Sequence, residues 1–231
     1  MLRSAAIAIA LSIGLGACTS VANVKSTTVK FTKPPAGATV LVMKPDITLA
    51  VLTASGVTEP RADWIASATA NLSKKAEDFA RTHGLTPKVV DPDKYGAEAG
   101  RAAQVIKLHR AVGQSIALHS YGLMALPTKK EFDWTLGDGA ASLGGTEGAA
   151  YALFMFGDGT FADGGRVAMT VAMAMLGVGM DMGGQQVFVS LVELKTGRVV
   201  WSNYVIAGAN DMRSPEGADA LARTLFQGAP L

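Results

Sequence analysis

The sequence predicts a single-domain α/β protein: a mixed central sheet with helices packed on it, a late β-hairpin, and a short apolar segment ahead of the domain. Three observations carry this. Apolar runs rich in β-branched residues alternate with stretches of helical period along the chain. The last two runs, Gln186 to Leu194 and Arg198 to Ile206, carry apolar residues on both faces, as strands do inside a sheet covered on both sides. Of 231 residues, 49% are hydrophobic and only 17% charged, enough for one large core.

The elements follow in order. Residues 18–36, rich in Ser, Thr, Val and Lys and ending at Pro34-Pro35, read as an extended tether, and the domain as 37–231. Thr39 to Met43 is a buried strand stopped by Pro45-Asp46. Ile47 to Thr53 is a second, and the two are expected to pair as a hairpin with Pro45 at a strand end. Pro60 opens a helix with Ile65, Ala68, Leu72, Ala76 and Phe79 on its apolar stripe and Gly84 at its C′ stop. Pro87 to Val90 is a short strand. A second helix runs from about Glu98 to Tyr121, striped by Val105, Leu108, Val112 and Ile116. Residues 128–148, rich in glycine and charge, should lie outside the core. Ala149 to Phe156 is a buried strand broken by Gly157-Asp158-Gly159, and Arg166 to Leu176 is a helix packed on the sheet through Met169, Met173 and Leu176. The final hairpin turns at Lys195-Thr196-Gly197 with Gly197 at positive φ. Ser214-Pro215 then caps a last helix whose Ala218, Leu221, Ala222 and Leu225 face the sheet.

The N-terminus is the most specific signal. Met1-Leu2-Arg3 gives a positive start, and Ala5 to Leu15 an apolar run too short for the ~20 residues that span a bilayer. The run ends at Leu15-Gly16-Ala17-Cys18, and Cys18 is the sole cysteine. These residues resemble the lipobox of bacterial lipoproteins. The resemblance implies a signal peptide over 1–17, cleavage before Cys18, and acylation of that residue, which becomes the membrane anchor. By the same resemblance, Thr19 in place of an aspartate favours the outer membrane, facing the periplasm. The lone cysteine leaves no internal disulfide. A formal charge of +2 gives no electrostatic footprint for nucleic acid.

Catalytic and metal motifs are weak. Lys195-Thr196-Gly197 lacks the Ser-x-x-Lys partner of β-lactamase-type enzymes and reads as a turn. Ser115 in Gly113-Gln-Ser-Ile-Ala117 sits mid-helix rather than on a nucleophile elbow. His83, His109 and His119 show no zinc spacing, and His109 reads as a hydrogen-bonded core residue. A cleft bringing His109 near Asp133 or Asp138 would instead suggest an envelope hydrolase. Asp158, Asp163 and Asp181 match no calcium loop, and Gly177-x-Gly179-x-x-x-Gly183 is no dinucleotide fingerprint. Met169, Met173, Met175, Met180 and Met182 offer thioethers of the kind Cu(I) sites use, but methionine also fills irregular cores, so a core helix is the leading reading, ahead of a surface meeting a partner or membrane. No metal, cofactor or catalytic residue is therefore expected. Phe132 and Trp134 alternate with polar residues beside Lys129 and Lys130, and are the candidates for contact with an envelope protein.

The hairpin Phe188-Val-Ser-Leu-Val-Glu-Leu-Lys-Thr-Gly-Arg-Val-Val-Trp201 resembles the strand-turn-strand of Gram-negative envelope lipoproteins with a curli-secretion-lipoprotein-like or TolB N-terminal-like fold. Lys44-Pro45-Asp46, Glu59 to Trp64 and Gly164 to Val167 resemble an uncharacterised lipoprotein family. What this implies is a non-enzymatic module of envelope assembly, secretion or maintenance, acting through protein contacts.

Overall fold

The computed structural model describes residues 21–231 apart from 28–30, 95–98, 123, 144–147 and 209. Cys18 and the segment before it lie outside the described residues. The elements are β1 (Val21–Ser26), β2 (Thr39–Met43), β3 (Asp46–Leu52), β4 (Thr58–Pro60), α1 (Ala62–Thr82), β5 (Thr86–Val90), α2 (Ala99–Ile116), β6 (Tyr151–Ala162), α3 (Gly164–Ala174), β7 (Gly183–Glu193), β8 (Arg198–Ala207) and α4 (Pro215–Leu225). They form a mixed α/β domain with one sheet, ordered β1-β8-β7-β6-β2-β5, and β3 and β4 beside the far half of β6.

The strand β6 is the spine. Its first residues pair in parallel with β2 and its last seven with β3, while β7 lies antiparallel along its other side. The sequence reading of β2 and β3 as a hairpin is thus corrected. They run end to end along one neighbour, and Pro45 falls in the gap, where no ladder N–H is required. β3 makes its hairpin with β4 instead. Pro60 ends β4, and α1 begins at Ala62 rather than at the proline.

β6 also runs through Gly157-Asp158-Gly159, which the sequence suggested would break it. The glycines serve close packing. A Cβ on Gly159 would stand 2.9 Å from Leu49 Cδ2 and 3.0 Å from Gln185 Cβ, so absence of a side chain lets the neighbouring strands' side chains close over β6. The late hairpin β7–β8 forms as expected, with Gly197 at φ +67°. Within the segment read as tether, Val21–Ser26 is paired antiparallel with β8 as an edge strand.

Alternation along the strands splits the core in two. Val40, Val42, Leu153, Val189 and Trp201 face α1 and α4, which contribute Ala68, Leu72, Ala76, Leu221 and Leu225. Leu41, Met43, Phe154, Phe156 and Phe188 face α2 and residues 132–143. On α2 the buried positions are Ala102, Val105, Ile106, His109, Gly113 and Ile116, while Leu108, expected on the stripe, is exposed. The stripe turns because Gly113 must face the sheet: a Cβ there would lie 2.5 Å from Phe156 Cε1. Residues 128–148 are not wholly outside the core either. Leu136, Ala140 and Leu143 are buried. The alternating segment Phe132 to Leu136 bridges the start of β8, with Val199 N–H donating to the Trp134 carbonyl at 2.8 Å and Leu136 N–H to Gly197 at 2.8 Å. α4 matches expectation: the Ser214 hydroxyl accepts from Gly217 N–H at 3.0 Å, and Ala218, Leu221, Ala222 and Leu225 are buried.

The largest departure is α3. Expected to pack on the sheet through Met169, Met173 and Leu176, it has no buried residue. An all-round apolar helix gives no periodic signal of which side faces inward, so its composition could not distinguish a core helix from an uncovered one.

Candidate functional site

His109 is a polar residue buried in the core. α2 places its ring between strands, 4.8 Å from Phe154 and within 6 Å of Phe156 and Phe188. Its Nε2 lies 2.9 Å from the Ser190 hydroxyl, and both residues are buried. Desolvation drives its pKa down from 6.5 to about 3, with Asp46 raising it and Arg110 lowering it more weakly. The imidazole is therefore neutral. A nucleophile and base both sealed beneath phenylalanines form a polar core contact, with no opening for a substrate. Its partners are Ser190 and these rings, rather than the Asp133 or Asp138 that a hydrolytic cleft would require.

A charged cluster begins at the next residue of α2. The Arg110 guanidinium spans two strands: Nε donates to Asp46 Oδ2 at 2.7 Å and Nη1 to Asp158 Oδ1 at 2.7 Å. Lys107 Nζ meets Asp46 Oδ1 at 2.7 Å. Burial pushes the Asp46 carboxyl up, but its bonds to Lys107 and Arg110 outweigh this and hold it below the usual range. The cluster locks α2 to β3 and β6, so its charges are satisfied internally. Among the described residues, no group of three or more His, Cys, Asp or Glu side chains could hold a metal ion.

Two surfaces remain. The first contains the sequence-selected aromatics. Phe132 and Trp134 are half-buried against the core and line a shallow groove of about 180 Å³ with Lys25, His119, Lys129 and Lys130. Lys129 Nζ stands 4.6 Å over the Trp134 ring and also donates to the Asp133 carbonyl. The structure thus brings Phe132, Trp134 and the lysine together on one groove wall, with the ring faces shared between core and groove. The buried Trp134 Nε1–H has no partner among the described residues.

The second surface is the methionine-rich segment, whose leading reading from sequence is a core helix. α3 and the loop after it turn their apolar side chains outward. Met175 is 82% exposed and Leu176 75%, and Val167, Met169, Val171 and Val178 are also exposed. The partly covered helix positions are Arg166, Thr170 and Met173. Arg166 Nε donates to the Asp181 carbonyl at 2.9 Å, and Thr170 Oγ1 to the Arg166 carbonyl at 2.8 Å. The Asp163 side chain caps the helix by accepting from Arg166 N–H at 2.6 Å. The helix is ordered by its polar groups and presents its apolar ones to the outside, the reverse of an ordinary surface helix. The methionine spacing in the sequence marked this segment without revealing its orientation.

No protein-family model matches the chain, and no curated protein does. Among solved structures, the PelC dodecamer from Paraburkholderia phytofirmans is similar at 15% identity, covering 92% of this chain and 98% of that one, with a TM-score of 0.39. A variant of the same dodecamer gives 15% identity, 90% and 99% coverage and 0.37. The LpoB C-terminal domain from Salmonella enterica gives 12% identity, 74% and 83% coverage and 0.28. Likeness at that level carries no functional conclusion, which rests on this chain's own residues.

Proposed function

We propose that the protein is a lipid-anchored component of the bacterial cell envelope, held by Cys18 at the outer membrane, facing the periplasm, and acting through protein contacts rather than by catalysis. The observation that carries this reading is the N-terminal pattern. A basic start and an apolar run too short to span end on a small-residue box at the only cysteine. Among the described residues, no helix is long and apolar enough to cross a membrane. Attachment would then come from acyl chains, each buried CH₂ contributing about 0.8 kcal/mol, so that several long chains hold almost permanently. Protein contact is supported by the Phe132–Trp134 groove, which joins aromatic faces to exposed lysine charge.

The test has two arms. Mass spectrometry of the full-length protein purified from bacterial membranes should find diacylglyceryl and N-acyl groups on Cys18, and Cys18→Ser should remain an unprocessed, unlabelled precursor. An unmodified wild-type thiol overturns the anchor. A photo-crosslinking residue at Phe132 should capture a discrete envelope protein that the same residue at Lys74, exposed on α1, does not. Identical patterns from both positions overturn the contact.

A further inference from the structure

We infer that α3 and the loop to Met182 form a membrane-seating surface, which lies in the lipid interface beside the anchor and fixes which end of the domain faces the bilayer. This rests on the lipid anchor proposed above. Three independent features lead to it.

The first is position. Val21 opposes Ile206 on β8, Ile206 opposes Gln186 on β7, and Gln186 opposes Asp158 on β6. The N-terminal end of β1 therefore lies at the end of the sheet where β6 runs out into α3 and β7 begins. Three peptide steps separate Val21 from Cys18, a reach of at most about 11 Å. An acylated Cys18 thus pulls this end, and no other, to the lipid.

The second is the distribution of apolar surface. Of fourteen large hydrophobic residues that stand exposed among the described residues, nine lie at this end: seven between Val167 and Met182, with Val57 in the β3–β4 turn and Ile206 on β8. At the opposite end the β7–β8 turn presents Lys195 and Thr196, and α1 finishes at exposed His83. The domain is polarised along its strands, apolar where the anchor leaves and polar where it does not.

The third is the inverted helix. Only Arg166 carries charge within α3, and it is partly covered, its Nε tied back to the Asp181 carbonyl of the loop that follows. A helix with a single cation, held against its own loop, that shows valine, methionine and leucine is arranged for an apolar medium. Its 11 residues extend about 16 Å, far less than the ~30 Å hydrocarbon thickness, so it lies on the bilayer rather than across it. At the rim, the Trp64 ring sits 5.7 Å from Phe161, the last residue but one of β6, with Arg61 and Arg213 at 4.4 Å and 4.2 Å from it. Tryptophan with arginine suits the head-group level.

The experiment uses full-length acylated protein in vesicles of phosphatidylethanolamine and phosphatidylglycerol. The native thiol is consumed by lipid, so a cysteine introduced by Met175→Cys takes a nitroxide alone. A second protein carries Leu118→Cys, also exposed but on the turn following α2. Electron paramagnetic resonance then compares collision with oxygen, which concentrates in lipid, and with a water-soluble nickel complex. The expected result, in vesicles, is an oxygen-to-nickel accessibility ratio several-fold higher at position 175 than at position 118. A label at 175 as nickel-accessible as that at 118, on protein bound to vesicles, overturns the seat while leaving the anchor intact. Protection from both reagents, persisting in detergent micelles, means a second copy covers the helix and also overturns it. Mass spectrometry of the same sample reads the acyl state of Cys18, so loss of the anchor is seen separately as an unmodified residue.

Discussion

Replacing His109 by glutamine should flatten the acid side of the protein's stability profile. The imidazole is sealed among Phe154, Phe156 and Phe188, and its pKa falls to about 3 in the fold against 6.5 when free. Between those values the unfolded chain accepts a proton that the folded chain refuses. Acid therefore drives unfolding: the stability associated with the neutral ring is complete above about pH 6.5 and drains away as the pH falls towards 3. At about 1.36 kcal/mol per unit, the loss at pH 4.5 is about 2.7 kcal/mol, a large share of the 5–15 kcal/mol that holds a typical domain together. Asp46 and Asp211 do not obscure this window. Burial raises both, but their arginine and lysine partners hold them below 3.8, so their contribution is lost only at lower pH. Urea unfolding followed by tryptophan fluorescence at about pH 7 and pH 4.5 measures the difference. Each protein is its own reference, so any cost of the glutamine at neutral pH cancels. Wild type should lose about 2–3 kcal/mol more than His109→Gln on acidification. Equal losses would mean that the ring takes up its proton without opening the core, and the assignment of a dry, neutral histidine would fail.

Two further substitutions probe the packing. Trp201 is fully buried on the α1/α4 side, and Trp201→Ala should cost about 3–5 kcal/mol in denaturant melts. Trp201→Phe should cost distinctly less, because the indole N–H has no partner to lose among the described residues. Gly113→Ala should destabilise by about 1–3 kcal/mol, although alanine is the better helix former, since the new methyl lands 2.5 Å from Phe156 and 3.0 Å from Phe188. An unchanged or raised melting temperature would show that the two rings can withdraw.

The elements legible in the sequence were those with one decisive face. α4 announced itself by Ser214-Pro215 and a clean apolar stripe, and α1 by Ala68, Leu72 and Ala76, all buried. The β7–β8 hairpin was marked by a turn triplet between two-sided apolar strands. What escaped the reading depended on neighbours. Gly157 and Gly159 look like breakers until Ile47, Leu49 and Gln185 are placed against them. Pro45 looks like the corner of a hairpin until a twelve-residue strand is available to carry β2 and β3 in tandem. Val21 to Ser26 is polar enough to pass for a linker, and only β8's open edge makes it a strand. Of the candidate site residues, Phe132 and Trp134 lie on one groove, as their alternation suggested, but lean on the core through the bridge to β8. The α3 surface was visible as a methionine-rich run with its direction unreadable.

The pairing of β1 with β8 sets an order of events in time. Ribosomes make the chain from its N-terminus, so Val21 to Ser26 exists long before residues 201–206 that it must join. Loop closure over so many residues is slow compared with the β6–β7 and β7–β8 ladders, whose strands are neighbours in the chain. The first strand made is thus among the last placed, and until it arrives β8 presents an open row of N–H and C=O groups to other copies still folding. A stalled or over-produced molecule would be caught with that row bare. Its characteristic failure would be strand exchange, one molecule's N-terminal segment completing the sheet of the next.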